Sequence, residues 1–411
     1  MFRRKKKSAL IKKVALIKKA SFFSKHFQTT LSCSLKQKLI EADIKFATEV
    51  NFNKSKKKKI GSTILLIFNF LVIAGVFIYY GLTSETVHVN EFFTLDIKWV
   101  FLGLAVLSLV MHLSIEGLRY FQLIKKSTGR KNYWLALKTH MLGSYYDNIT
   151  PFAVGGQPFQ VFYLNKHGIK GEKATSIPIV EHMFSAIACL IISIVVLIAN
   201  IFCGFATSPL IIIFAIIGLF ANGMIIGLLL LFSINKRVGP AFVIKILKLL
   251  NKLHIIKDYK TTFFKVSRFV KNYQKSMKEF TKSKSTVFFQ ILAAFASSFF
   301  LYGITYCIHR AFAIGGAPVV SYFEIASCSV FCVLCSSIMP LPGGSGLAEI
   351  SFDTLLGRWF AGGLFTWALL IWRCLTYFVY IVVGGLQVFI SYLKTVIKNK
   401  KKIKQRSYKK E

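Results

Sequence analysis

The sequence is poor in acidic residues and in proline, and it lacks the motifs that mark soluble enzymes. Its 411 residues include 16 Asp and Glu against 54 Lys and Arg, and only 8 prolines. No stretch matches G-x-x-x-x-G-K-[ST], so direct coupling to ATP is not expected. The cysteines and histidines show no metal-site spacing, and Cys332 and Cys335 lie in an apolar stretch where small packing residues are expected. We therefore predict no catalytic residue, no metal and no cofactor.

Long apolar runs dominate the chain instead. Hydrophobic residues make up 54% of it and the mean hydropathy is +0.56, which excludes an ordinary soluble domain. A membrane-spanning helix needs roughly 20 apolar residues. The runs that meet this length lie near Gly61–Gly81, Trp99–Ile115, Ser176–Phe202, Ser208–Phe232, Ser285–His309 and Phe360–Ile390. The sequence thus predicts an all-α, polytopic membrane helical bundle with about six full spans.

The formal net charge of +38 is concentrated outside these runs. Residues 1–60 hold 18 Lys and Arg, residues 233–285 hold 14 and residues 394–411 hold 9, whereas residues 82–98 hold three acids and one lysine. Cytoplasmic loops carry such an excess of Lys and Arg. We expect a cell-membrane protein with both termini in the cytoplasm. Anionic inner-leaflet lipids, rather than nucleic acid, are the expected partners of the surplus charge.

The same boundaries divide the chain into five parts. The N-terminal segment could form a helix on the membrane surface or a disordered basic tail. The loop after the fourth span alternates apolar residues with lysines, which favours a pair of amphipathic cytoplasmic helices. The parts are a basic cytoplasmic segment (1–60), a first membrane half (61–232), a basic amphipathic loop (233–284), a second membrane half (285–393) and a basic cytoplasmic tail (394–411).

Two further segments are apolar at their edges but broken in the middle by proline and paired glycine. One covers residues 140–165 and contains "YYDNITPFAVGGQPFQ"; the other covers 321–358 and contains "SIMPLPGGSGLAE". Both flanks of the first are basic, so it enters and leaves from the cytoplasm, and the predicted spans make the second enter from the exterior. Such inverted, interrupted segments point to a transporter binding site. We predict two re-entrant hairpins in inverted halves; the alternative is a pair of interfacial loops with turn residues.

Polar residues around the first hairpin allow more than one role. Asp147 and Asn148 could cap a half-helix or line a cavity. Gln157 could satisfy exposed backbone or meet a lipid headgroup. Glu116 and Arg119 are expected near the membrane interface, where charge is less costly, and are not counted as site residues.

Ionisable side chains inside the apolar runs also need a reason, since each costs roughly 2.5–3.5 kcal/mol on insertion. Arg373 could pair with Glu349 or Asp353, or contact a lipid phosphate. Glu181 could cap a helix or line a pathway. The substrate-pathway candidates are Asp147, Asn148, Thr150, Pro151, Gly155, Gly156, Gln157, Glu181, Pro342, Gly343, Gly344, Glu349 and Arg373.

At these residues the chain resembles the lysylphosphatidylglycerol synthase transmembrane-region family. "TPFAVGGQ" resembles its T-P-x-x-x-G-G-Q/E signature, "MPLPGGSGLAE" its P-x-P-G-G-x-G-x-x-E signature, and "RCLTYFVYIVVGG" its final Arg-containing helix. The match covers roughly residues 60–395. His182 departs from the family, which more often has Arg after Glu181, and this leaves the role of that pair open.

The resemblance implies the flippase module of multiple peptide resistance factors, which moves aminoacylated phosphatidylglycerol to the outer leaflet and so repels cationic peptides. Full-length members add a soluble synthase domain. The longest soluble loop here, residues 233–284, is far shorter than such a domain, so we expect no lysyltransferase activity from this chain alone. The functional hypotheses are a phospholipid flippase, a phosphatidylglycerol lysyltransferase or its membrane subunit with a separate synthase chain, and a non-transporting scaffold.

Overall fold

The computed structural model describes residues 97–153, 155–169, 171–204, 208–234, 244–245, 259–313, 320–360, 364–391 and 393. All of them belong to one compact unit. They form helices and connecting turns, and these ranges contain no strand. The predicted first span, the basic segment 1–60 and the tail 394–411 lie outside the described residues.

Within the described residues, five long apolar helices are able to span a membrane, and they confirm the predicted helical bundle. They are α1 (Trp99–Thr128), α4 (Gly171–Cys203), α5 (Pro209–Ile234), α7 (Lys284–Phe312) and α10 (Leu364–Arg373), which continues through a π-helical turn at Cys374–Phe378 to Ser391. Val100, Ile201 and Phe220 are at least three-quarters exposed, as expected where apolar side chains meet lipid.

Helix α1 is longer than the predicted span that ended at Ile115. It continues to Thr128, carries Lys125 and Lys126 in its last turn, and ends at Gly129, whose φ of 73° is readily adopted by glycine. The prediction stopped at Glu116 because a charge normally ends an apolar run. The helix passes through this point because its charges are paired inside the bundle.

Five shorter helices complete the described fold. They are α2 (Tyr133–Ile149), α3 (Gly156–Lys166), α6 (Tyr259–Lys282), α8 (Tyr322–Ser337) and α9 (Leu347–Leu356). The side chain of Asn132 accepts a bond from Leu135 N at 2.9 Å and so caps α2, and Ser321 caps α8 through Glu324 N at 3.3 Å. Helix α6 confirms that part of the basic loop is helical; most of residues 233–258 lie outside the described ranges.

Helices α1 and α7 pack antiparallel, and this arrangement sets the ends of the bundle. Lys98 N donates to the carbonyl of Ala311 at 3.2 Å, while Lys126 Nζ donates to Thr286 Oγ1 at 2.5 Å at the other end. The first hairpin (α2, its turn and α3) starts where α1 ends. The second hairpin (α8, its turn and α9) starts where α7 ends. The two hairpins therefore enter from opposite ends, and their turns contact each other.

The core has two buried clusters. The larger one surrounds α8 and includes Phe331 and Phe352, and the smaller one joins the end of α1 to α4 and α6. Cys328, Cys332 and Cys335 are fully buried in the larger cluster. The C-x-x-C pair thus packs among apolar side chains, as the sequence predicted.

Candidate functional site

The break in the first hairpin is a tight turn at Pro151–Ala153. Phe152 and Ala153 have φ values of 56° and 50°, which non-glycine residues rarely adopt. Thr150 stabilises the turn, because its Oγ1 donates to the carbonyl of Tyr146 at 2.8 Å and accepts from Gly155 N at 3.0 Å. Backbone strain of this kind is held at functional sites more often than elsewhere.

The Gly155–Gly156 pair permits close approach and does not form the turn itself. Gly156 N donates to Asp147 Oδ1 at 2.7 Å, and a Cβ at Gly156 would overlap the Asp147 carboxylate. Asp147 therefore caps the half-helix α3, which is one of the two roles that the sequence allowed for it. The same side chain also lines the cavity described below.

In the second hairpin the glycines do adopt the left-handed conformation. Gly343 and Gly344 both have φ of 63°, so the chain reverses there. The carboxylate of Glu349 accepts from Gly346 N at 2.6 Å and holds the first turn of α9. Its other oxygen lies 2.5 Å from Arg373 Nη2. Of the partners considered for Arg373, the structure thus provides Glu349.

The last span joins the two hairpin tips. Arg373 Nη1 donates to the carbonyl of Gly343 at 3.2 Å, and the hydroxyl of Tyr377 donates to the carbonyl of Asn148 at 3.4 Å. The Tyr377 ring packs so closely on Gly343 that a Cβ there would overlap it. Tyr377 lies in the π-helical turn, a rare element that is frequent at functional sites. We call this meeting point the tip junction.

Beside the tip junction lies a polar cavity of about 280 Å³ inside the bundle. Arg119 is completely buried at its wall, where its Nη1 lies 2.9 Å from Glu116 and 2.8 Å from Glu181. The sequence analysis did not count Glu116 and Arg119 as site residues, whereas the structure buries both side chains and places them in the lining of the cavity. Glu116 and Arg119 can be buried because Glu181 on α4 supplies a second carboxylate to the guanidinium of Arg119.

A network of hydrogen bonds and close polar contacts completes the polar wall. Ser297 Oγ donates to Glu116 Oε1 at 2.6 Å and lies 2.8 Å from the ring of His112. The Tyr120 hydroxyl donates to Glu181 Oε2 at 3.0 Å. The ring of His140 faces Glu116 with an Nδ1–Oε2 distance of 3.9 Å. Each buried charge is thus hydrogen-bonded as well as paired, which buried polar groups require.

The cavity presents more carboxyl groups than guanidinium groups. Glu116, Glu181 and Asp147 line it together with the single guanidinium of Arg119, and three histidines, His112, His140 and His182, lie at the wall. Such a set can hold an ammonium group against the carboxylates and a phosphate against the guanidinium. No group of three or more His, Cys, Asp or Glu residues in the described part of the chain could hold a metal ion.

The predicted site residues fall into two neighbouring groups. Three of them line the polar cavity: Asp147, Gln157 and Glu181. The others form the two turns, flank them or join them at the tip junction: Asn148, Thr150, Pro151, Gly155, Gly156, Pro342, Gly343, Gly344, Glu349 and Arg373.

Several cavity residues were not identified from the sequence. The cavity also includes His112, Glu116, Arg119, Tyr120, His140 and Ser297. One signal was available, since residues 112, 116 and 119 are polar at helical spacing in an otherwise apolar run and must share one face. Their pairing with α4 and α7 was not visible, because it joins residues far apart in the chain.

The comparison with known protein families gives one match. The family model described as the lysylphosphatidylglycerol synthase TM region covers residues 65–384, which include both hairpins, four of the five described spans and most of the fifth, Leu364–Ser391. Neither a curated protein nor a solved structure matches the chain.

Proposed function

Because this chain belongs to the lysylphosphatidylglycerol synthase transmembrane-region family, we propose that it moves a phospholipid headgroup from one leaflet of the cell membrane to the other. The family's name suggests that the lipid is aminoacylated phosphatidylglycerol. Moving that lipid to the outer leaflet would make the cell surface more positive. Resistance to cationic antimicrobial peptides would follow from the electrostatic repulsion.

The observation that carries this proposal is the charged cavity inside an apolar bundle. Arg119, Glu116 and Glu181 lie within helices that are long and apolar enough to span the membrane. Charge at membrane depth is rare and marks a pathway for polar or ionic groups. A lipid headgroup is such a group, whereas its acyl chains can remain in the surrounding bilayer.

The charges of the cavity fit an aminoacylated headgroup in particular. A lysyl ester of phosphatidylglycerol carries two ammonium groups and one phosphate. The carboxylates of Glu181 and Asp147 can receive the ammonium groups, and the guanidinium of Arg119 can receive the phosphate. Since Arg119 already has two carboxylate partners, one of them can turn to the incoming headgroup while the other keeps the arginine paired.

The tip junction supplies a barrier between the cavity and the opposite side. Arg373 and Tyr377 bind the backbone of both hairpin tips, so a path through the protein requires their bonds to Gly343 and Asn148 to open. Transporters with inverted repeats alternate access by moving such elements around a central site. We propose that the hairpins separate and close again in this way during translocation.

The proposal includes an orientation and partners. We propose that both termini and the loop 233–284 lie in the cytoplasm, which their excess of lysine and arginine favours, and that their lysines contact anionic lipids of the inner leaflet there. A separate synthase chain would supply the aminoacylated lipid there. These partners can be tested by co-purification of the full chain with lipid and protein.

A reconstituted flipping assay tests the function directly. Liposomes with the full chain and a fluorescent lipid are treated with a membrane-impermeant quencher, for lysylphosphatidylglycerol, phosphatidylglycerol and phosphatidylcholine in turn. We expect faster loss of the inner-leaflet signal for at least the first lipid, and a reduced rate for Glu181→Gln. Rates equal to those of empty liposomes for every headgroup would refute the proposal.

The family's name favours one second candidate, a membrane subunit of a phosphatidylglycerol lysyltransferase. Product formation from lysyl-tRNA and phosphatidylglycerol, with and without the full chain added to a soluble synthase, tests it. A scaffold without transport predicts instead that alanine at Gly156 or Gly343 leaves lipid movement unchanged in a protein that still folds.

A further inference from the structure

A second and larger cavity opens on the outside of the bundle, between the first hairpin and the end of the last span. We call it the apolar groove; its volume is about 770 Å³. Its apolar lining comes from both hairpin helices and from the last span: Leu137, Met141, Leu142, Phe159, Phe162, Val383, Leu386 and Ile390. Trp134 and Phe162 are about two-thirds exposed (67% and 66%), so the groove is accessible from the surrounding bilayer. A volume of this size suits a lipid-sized ligand.

Among the described residues that line the groove, the basic ones lie at one end. Lys138, Lys166 and His167 line the end where the hairpin begins and finishes. A neighbouring pocket of about 220 Å³ shares Lys138 and His167 and adds Arg130 and Asn132. The other end, beside the hairpin tip, is aromatic: the rings of Tyr146 and Phe159 stack with centroids 3.4 Å apart. The groove thus has basic groups at one end and aromatic groups at the other. A lipid in a leaflet has the same order, with a polar headgroup at one end and apolar acyl chains at the other.

The first hairpin separates this groove from the polar cavity. On α2, His140, Ser144 and Asp147 line the cavity, whereas Lys138 and Leu142 line the groove. His140, Ser144 and Asp147 are separated by four and three residues, so they lie on one face of the helix. On α3, Gln157 and Gln160 line the cavity and Phe159 and Phe162 line the groove. The first hairpin thus has a polar face that suits a lipid headgroup and an apolar face that suits an acyl chain.

We propose that the apolar groove is a phospholipid-binding site for a lipid with an anionic phosphate headgroup. Lys138 and Lys166 bind the phosphate, with His167 and the Arg130 pocket beside them, and one acyl chain lies along Phe162, Phe159 and Val383. The assignment deepens the proposed function by identifying where a lipid is held next to the polar cavity, and it rests on that function for its role in translocation.

Charge complementarity selects this occupant. An apolar segment of protein would fill the aromatic end but would offer nothing to two lysines at the other end. A phosphate matches their positive charge, and each lysine or arginine at a membrane surface contributes about 1 kcal/mol to binding anionic lipid. Residues 61–81 of this chain are the alternative apolar occupant, and the test below includes them.

Photocrosslinking locates the lipid. The purified full chain is incubated in mixed micelles with phosphatidylglycerol that carries a diazirine on one acyl chain, and crosslinked peptides are mapped. We expect labels on α2, on α3 and near Val383. Val383→Trp fills the groove and should lower the crosslinking severalfold. Val382→Trp is the matched control, because Val382 is also exposed on the last span but does not line the groove.

A charge variant tests the headgroup contact without altering the apolar wall. Lys138→Gln combined with Lys166→Gln should weaken phosphatidylglycerol binding by about tenfold or more. The control pair Lys125→Gln with Lys131→Gln removes the same charge from exposed positions outside the groove. Phosphatidylcholine has the same phosphate but a cationic choline, so its crosslinking equal to that of phosphatidylglycerol throughout a salt titration would overturn the selectivity for an anionic headgroup. No effect of the groove pair would overturn the phosphate contact. Groove labels that appear only after residues 61–81 are deleted would show that this segment occupies the groove.

The two proposals can fail separately. Lipid bound in the groove without any flipping in liposomes would refute the transport function and leave the binding site standing. Normal flipping with no label in the groove would refute the binding site alone. Labelling of the groove in the unaltered chain, together with a flipping rate that falls in the Lys138 and Lys166 variant but not in the Lys125 and Lys131 control, would support both.

Discussion

Replacing Glu349 by glutamine is expected to destabilise the second hairpin strongly. Glu349 is fully buried and Arg373 is 3% exposed, and their side chains lie 2.5 Å apart. Glutamine keeps the shape of the side chain and can still accept a bond from Gly346 N, but it leaves the guanidinium without its counter-ion. Removing one partner of a buried ion pair typically costs about 3–5 kcal/mol. At roughly 2–4 °C per kcal/mol, the apparent melting temperature should fall by about 10 °C.

The assay is thermal unfolding of the purified full chain in detergent. The quantity measured is the amount of protein that remains monodisperse after heating. Asp353→Asn is the matched control, since Asp353 lies on the same helix but is only partly buried. Its replacement should cost at most about 1 kcal/mol. Combining Glu349→Gln with Arg373→Met removes both charges and should recover much of the lost stability, as expected when a buried pair is replaced by uncharged side chains.

The pattern among these variants can refute the reasoning. If Glu349→Gln and Asp353→Asn lower the melting temperature equally, Glu349 is not the functional counter-ion of Arg373. If the double variant is as unstable as the sum of the two single losses, the residues act independently and the second tip is held by other contacts.

Three further predictions address the cavity and the first tip. Gly156→Ala should lower stability by about 1–3 kcal/mol because its Cβ would overlap the capping carboxylate, while Gly171→Ala, with nothing within 4 Å of the new methyl, should be neutral in the same melting assay; equal melting temperatures would contradict this. Arg119→Gln should lower lipid flipping at least tenfold by leaving two carboxylates unpaired, and Lys125→Gln, on the exposed end of the same helix, should not; equal rates would argue against a role for the cavity. Tyr377→Phe should cost about 0.5–1.5 kcal/mol through loss of one hydrogen bond, and a change in flipping that exceeds the change in stability would support a gate at the tip junction, whereas no change in either would oppose it.

Local patterns were sufficient to predict the hairpins and most of the spans. The hairpins are recognisable because proline and glycine impose backbone conformations within a few residues, and helices α8 and α9 break where Pro340 and the Gly343–Gly344 pair lie. The sequence offered two carboxylates, Glu349 and Asp353, as ion-pair partners of Arg373 and did not distinguish between them. Arg373 pairs with Glu349 because of the way the last span is rotated about its axis relative to α9. No local sequence pattern contains information on that rotation.

The glycine pairs show the same limit. Both motifs predict a turn, yet only Gly343 and Gly344 have left-handed backbone; in the first hairpin Phe152 and Ala153 adopt it instead. Gly155 and Gly156 serve the close approach of Thr150 and Asp147. The two glycine pairs therefore have different roles. The packing around each pair determines whether glycine is needed for its left-handed backbone or for its lack of a side chain.

The sequence by itself determined the kind of molecule this is: an all-α membrane bundle with two broken hairpins and a strongly basic set of loops. Hydropathy, charge and helix-breaking residues act locally, so they can be read from the chain. Only the tertiary structure brought Glu116, Arg119 and Glu181 together and buried them. A charge is tolerated within a bilayer only when other helices supply its partners, and those partners come from distant parts of the chain.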